Sequence, residues 1–217
     1  LLNFPEYGAM ELATLAGPNV ARDLQASITA VSDRLPEADA LHVTLAKQYD
    51  VHILAASGPA RTLQSTLPVN RARLITPSGQ VGVQDKQIMT RFERETWGIG
   101  GRQTGGGPLT LFDTEIGRIG VLICYDAEFP LLGRALSEAD ILLVPSCTEA
   151  LSGYSRVRVG AMARALENQC VTAMASTVGA CDWSEAVDLN TGMGGVFGPP
   201  DIGFPDTGVL AEGMLNT

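Results

Sequence analysis

"RIGVLICYDAEFP", residues 118–130, runs an almost unbroken apolar segment into a cysteine, with Tyr125, Asp126 and Glu128 directly behind it. A run this short and this apolar suits a strand buried on both faces of a sheet. "ILLVPS" (141–146) repeats the pattern, and a helical stretch at 129–138 separates the two. Cys124 therefore stands where a core strand ends. Taken alone it reads as a small buried hydrophobe, the commonest fate of an interior cysteine.

Outward from this stretch, apolar runs of strand length alternate with helical patterns. The strands are "LLNFP" (1–5), "VHILAAS" (51–57), "RARLITP" (71–77), "VGVQDK" (81–86), "LTLFDT" (109–114) and "CVTAMAS" (170–176). Helices are expected within 20–34, 37–49 and 155–168. In the second, Ala40, Leu41, Leu45 and Ala46 form the apolar stripe; in the third, Val157, Ala161 and Ala165 share a face behind a Ser155 N-cap. "LTLFDTEIGRIGVLIC" reads as a hairpin turning at Glu115–Gly117. The fold class is α/β, a mixed sheet covered by helices.

The 217 residues suffice for a single domain, 1–217, and no shift in composition divides them. Hydrophobic residues make up 45% and charged residues 18%, with a net charge of −9 and no basic stripe. Nucleic acid and membrane are therefore poor partners, and no apolar run reaches the roughly 20 residues of a bilayer span. Cys124, Cys147, Cys170 and Cys181 form no CxxC pair and lack histidines at ligand spacing, so free thiols in a reducing, cytoplasmic compartment are expected and a metal is not. Both ends read as strands cut off from their context, so the chain is expected to be truncated at each.

Reactive side chains in such sheets collect at the carboxyl ends of strands. Glu6 follows "LLNFP", Lys86 follows "VGVQD" and Cys124 closes "RIGVLI". If their strands are neighbours, a base, an electrostatic stabiliser and a nucleophile would converge. The only histidines, His42 and His52, lie away from strand carboxyl ends and read as structural, which leaves Glu6 as the best-placed base for Cys124. The glycines of "WGIGGRQTGGG" (97–107) match no phosphate-loop spacing and read as a flexible loop, a lid carrying Trp97.

At these residues the chain resembles the nitrilase superfamily of carbon–nitrogen hydrolases, in its amidase-like branch. The likeness rests on "NFPEYG" around Glu6, "QDKQIMTRFE" around Lys86, "GVLICYDAEFP" around Cys124 and "ARALENQCVTAMASTVG" downstream. The resemblance implies a four-layer αββα sandwich lacking an N-terminal strand, assembled into homodimers or larger homo-oligomers. It implies cofactor-free cleavage of a small linear amide through a thioester on Cys124. Glu6 would be the base, with Lys86 and the backbone N–H of Tyr125 stabilising the oxyanion. Glu93 matches an accessory glutamate that holds Lys86 or substrate; Glu95 in the same "RFERE" run is its rival. Tyr125 stands where nitrilases commonly carry Trp, which favours amides over nitriles, and Ser176 replaces a frequent Asn. Nitrile or N-carbamoyl amino acid hydrolysis, acyl transfer and a non-catalytic scaffold are the alternatives. Asp126 and Glu128 read as residues shaping the site, Cys147 as a pocket wall or a structural thiol, and Cys170 and Cys181 as structural. Tyr7, Trp97, Phe129 and Trp183 are candidates for the pocket lining.

Overall fold

Asp23 opens the longest element: its carboxylate accepts from the N–H groups of Gln25 (2.9 Å) and Ala26 (2.7 Å), a side-chain N-cap. The computed structural model, which describes residues 1–216, then carries α2 from Leu24 to Tyr49 without a break, after a short α1 at Pro18–Arg22. The two helices expected at 20–34 and 37–49 are one. Pro36 costs the helix one hydrogen bond but does not end it, because the turns on either side are held by packing: Ile28, Val31, Leu35 and Ala46 are buried beneath it. Leu41 and Ala40 face solvent, while Leu45 and Ala46 pack inward as read, joined by Leu35 and Val43.

Beneath α2 lies a four-stranded sheet in the order β1 (Leu2–Asn3), β2 (Ile53–Ala60), β3 (Val69–Ile75), β4 (Val81–Asp85). β1 and β2 are parallel and the other pairs antiparallel. Alternation divides its side chains: Ile53, Ala55 and Ile75 pack with Ala46 of α2, while Leu54, Ala72 and Leu74 point the other way. There they meet a second, six-stranded sheet in a shared apolar core with Ile119, Val121 and Leu142.

The second sheet runs in the order β12 (Val209–Glu212), β11 (Gly195–Phe197), β8 (Val171–Ser176), β7 (Ile141–Ser146), β6 (Gly117–Val121), β5 (Leu111–Thr114). β5 and β6 form the expected hairpin, while β6, β7 and β8 are parallel. Two-residue strands β9 (Gly179–Ala180) and β10 (Leu189–Asn190) pair separately. α3 (Pro130–Ala135) and α4 (Leu151–Asn168) cover the outer face. Val157, Ala161 and Ala165 are its buried stripe, as read; but α4 begins a turn before Ser155, with Ala150 as N-cap. Helix, sheet, sheet, helix is the four-layer order. Among the described residues no helix is long and apolar enough to cross a membrane.

Candidate active site

β6 ends at Val121, and after one more bond from Leu122 N to Leu143 O (2.9 Å) the chain enters a tight turn, Cys124–Glu128. Cys124 sits in the left-handed region at φ 50, a conformation that costs a non-glycine residue of order 1–3 kcal/mol and persists only where its surroundings enforce it. Two contacts do so. The buried Asp126 carboxylate accepts from the N–H groups of Ile123 (3.3 Å), Gln87 (3.1 Å) and Ile88 (2.9 Å), stapling the cysteine turn to the chain after β4. Ala127 O nests in a notch of α4, where it accepts from Arg164 Nη1 (3.1 Å); a Cβ on Gly160 would stand 2.6 Å from it. The N–H of Tyr125 finds no acceptor among the described residues.

Glu6 and Lys86 come from the other sheet. β1 and β4 are not neighbours: they are its opposite edges, so convergence here does not come from adjacent strands. Both run in the same direction, and the segments past their ends fold inward over β2 and β3, which brings Lys86 Nζ to 2.7 Å from Glu6 Oε1. Thr177 Oγ1 fixes the Glu6 backbone by donating to its carbonyl (2.8 Å), and Tyr7, itself at φ 57, donates its N–H to Ser57 Oγ (3.2 Å).

Glu93 completes the cluster. Lys86 Nζ also donates to Glu93 Oε1 (2.9 Å) and Oε2 (2.8 Å), Tyr7 OH to Oε1 (2.6 Å), and Thr90 N to Oε2 (2.8 Å). The rival Glu95 is exposed, paired with Arg91 and Arg94, and does not touch Lys86. Asn70, which the sequence reading passed over, donates from Nδ2 to Glu6 Oε1 (2.9 Å) and Glu93 Oε1 (3.4 Å) from the middle of the sheet. Its neighbours Arg71 and Arg73 are polar as well, so nothing in the sequence marks its amide out.

One ammonium thus faces two buried carboxylates, and their environments separate them. Burial raises the Glu6 carboxyl above its usual range, with Lys86 opposing. Glu93 is also buried, but Lys86 and the donors Tyr7 and Thr90 outweigh that and hold it low. Burial works against the Lys86 ammonium; the two carboxylates more than offset it, and its pKa lies well above the ordinary value. Burial and the nearby Glu6 carboxylate push the Cys124 thiol well up, while Sγ itself donates to Cys147 O (3.7 Å). At rest, then, the sulfur keeps its proton beside a base whose own affinity for protons is enhanced. Burial likewise pushes Asp126 up to about 7, against Lys86 and its backbone donors.

The cluster forms the floor of a cavity of about 350 Å³, lined by Glu6, Lys86, Glu93, Cys124, Tyr7 and Trp97. Trp97 is no lid: it is fully buried, its ring 4.7 Å from that of Tyr7 and its Nε1 donating to Leu24 O (3.0 Å). Phe129 and Trp183 lie outside the lining; Phe129 instead packs edge-on against Tyr125 at 4.9 Å. Cys147 is a wall of the cavity, its carbonyl accepting from Cys124 Sγ (3.7 Å) and its own Sγ donating to Asn190 Oδ1 (3.1 Å). His52 bonds Glu115 and His42 lies against Phe4; neither reaches the cavity.

A family model described as carbon-nitrogen hydrolase matches residues 2–196. The chain is 33% identical over 211 residues to a probable hydrolase of Bacillus subtilis (strain 168), YhcX, covering 96% of this chain and 39% of that protein. To the deaminated glutathione amidase of Yersinia enterocolitica it is 33% identical over 144 residues, 62% of this chain and 50% of the relative. The chain therefore spans half or less of the length of these two relatives. Among solved structures, a carbon–nitrogen hydrolase from Helicobacter pylori G27 superposes with a TM-score of 0.69 at 18% identity, over 91% of this chain and 80% of that one, a likeness of fold.

Proposed function

Because the chain belongs to the carbon–nitrogen hydrolase family, we propose that it cleaves small linear amides through a thioester on Cys124. The observation that carries this reading is the meeting of Glu6, Lys86 and Cys124, from two sheets, on the floor of one cavity. An isolated thiol is mostly protonated at neutral pH, and burial makes Cys124 more so; a neighbouring base must take its proton as attack begins. We assign that base to Glu6, a carboxylate lining the same cavity, whose raised proton affinity suits both halves of the cycle.

As the sulfur bonds to the amide carbon, the carbonyl π electrons move to oxygen. Lys86 Nζ and the free N–H of Tyr125 meet that oxyanion, a contribution for which the loss of one donor typically costs about 10²–10³ in rate. Collapse expels the amine, which leaves with the proton held by Glu6. Water then adds to the thioester, gives its proton to Glu6, and frees the acid as the thiol is re-formed. Glu93, Tyr7 and Asn70 are positioning residues: their hydrogen bonds hold Lys86 and Glu6 in register.

The test is ammonia release from a panel of simple amides, carbamoyl amino acids and nitriles, with Cys124→Ala alongside. The expected result is hydrolysis of amides by the native chain and none by the variant. Hydrolysis that survives in Cys124→Ala would sink the mechanism.

A further inference from the structure

The walls of the cavity carry a charge pattern that the chemistry at its floor does not use. Both cations there are already engaged: Lys86 by Glu6 and Glu93, and Arg156, at the mouth on α4, by Glu128 at 3.3 Å. Glu149, Glu185 and Asp188 line the same mouth, are solvent-exposed, and make no ion pair among the described residues. A substrate whose amide reaches Cys124 shares its cavity with these three carboxylates.

Their positions are built in. Glu149 follows β7, and Glu185 and Asp188 sit on the loop ending in β10. Thr191 N donates to Thr148 O (2.7 Å) and Thr191 Oγ1 to Glu149 O (3.0 Å), while Thr148 Oγ1 returns a bond to Thr191 O (2.7 Å). Asn190, buried at the base of the loop, donates to Val187 O (2.8 Å) and accepts from Cys147 Sγ (3.1 Å). The segments carrying the carboxylates are thus tied to each other and to the cavity wall. A concave, low-dielectric site focuses the field of such a rim onto whatever enters it.

Resting on the reading of this site as an amide hydrolase, we propose that its substrates are small amides whose far end is positively charged, a primary ammonium or a guanidinium, and that it turns carboxylates away. The charge contrast is the basis: no unpaired cation at the mouth is left to receive an acid, while three unpaired carboxylates wait for a base.

The experiment uses three amides of matched length: 4-aminobutanamide, pentanamide and glutaramate. kcat/KM should fall in that order, by about tenfold from cation to neutral at low salt, and the spread should narrow as salt screens the rim. In Glu185→Gln/Asp188→Asn the ratio of the first substrate to the second should drop several-fold; taking the ratio within each protein cancels any loss of folded material. A second readout needs no turnover. In Cys147→Ala, the labelling rates of Cys124 by 2-aminoethyl and by 2-sulfonatoethyl methanethiosulfonate are compared with those of a free thiol. The cationic reagent should gain at least about tenfold over the anionic one by the same Coulomb argument. If glutaramate is cleaved as well as 4-aminobutanamide, or labelling shows no gain for the cation, the proposal is overturned. If labelling favours the cation but no amide is cleaved, the hydrolase reading fails while the charge preference stands.

Discussion

Cys124 carries the strain of the site, and in the proposed function Glu6 carries its proton traffic. Because burial sets the Glu6 pKa above 4.5, and only the ionised carboxylate can accept the thiol proton, kcat/KM should rise with pH through a limb centred above that value. Lys86, held charged well past its usual range, should add no fall below about pH 10. In Glu6→Gln the limb should vanish and the rate drop by about 10²–10⁴, the usual contribution of a positioned base. A pH–rate profile of both proteins checks this, and an unchanged limb in the variant would assign it to another group. Three of the residues that meet here were legible because strand ends announce themselves where apolar runs stop. Asn70 was not, since nothing in "PVNRARL" says that its amide faces two carboxylates rather than solvent.

At the scale of elements, the cysteine turn is only as rigid as the helix it leans on. Gly160 allows α4 to approach the turn so closely that an added methyl would meet Ala127 O at 2.6 Å and its carbonyl carbon at 2.9 Å. Backbone cannot yield as a side-chain tip does, so Gly160→Ala should displace Cys124 and lower kcat/KM by more than tenfold, given how steeply rate depends on placement. The same change favours the helix intrinsically by about 1 kcal/mol, so activity should fall further than the urea midpoint does. A variant with native kinetics would show the notch to be dispensable. The contrast with α2 is instructive. Pro36 lies between the two helices expected at 20–34 and 37–49, yet packing of Leu35 and Ala46 on either side carries the helix through it. Local propensity was overruled by burial, which no single-residue rule anticipates.

For the whole molecule, what mattered was which sheet each strand joins. Apolar runs revealed the strands and the βαβ-like order of β6, β7 and β8, but not that β1 and β4 would flank one sheet while β6 entered the other. That assignment depends on contacts between residues far apart in the chain, such as Leu54 and Leu74 against Ile119 and Val121. At the site the Asp126 carboxylate ties the cysteine turn to the segment after β4, beside the bond from Thr177 Oγ1 to Glu6 O. Asp126→Asn would turn an NH₂ group toward backbone donors that now meet oxygen, and should cost about 1–3 kcal/mol in chemical denaturation. A variant as stable as the native chain would mean that these donors find other partners.

The Asp126 staple has a consequence for how the protein fails. Since that side chain both helps to close the seam between the sheets and orients the cysteine turn, parting of the layers there also releases the turn. Heat inactivation should therefore follow the same curve as loss of β-sheet circular dichroism, and the moment at which the layers part is also the moment at which a guarded thiol becomes an ordinary one.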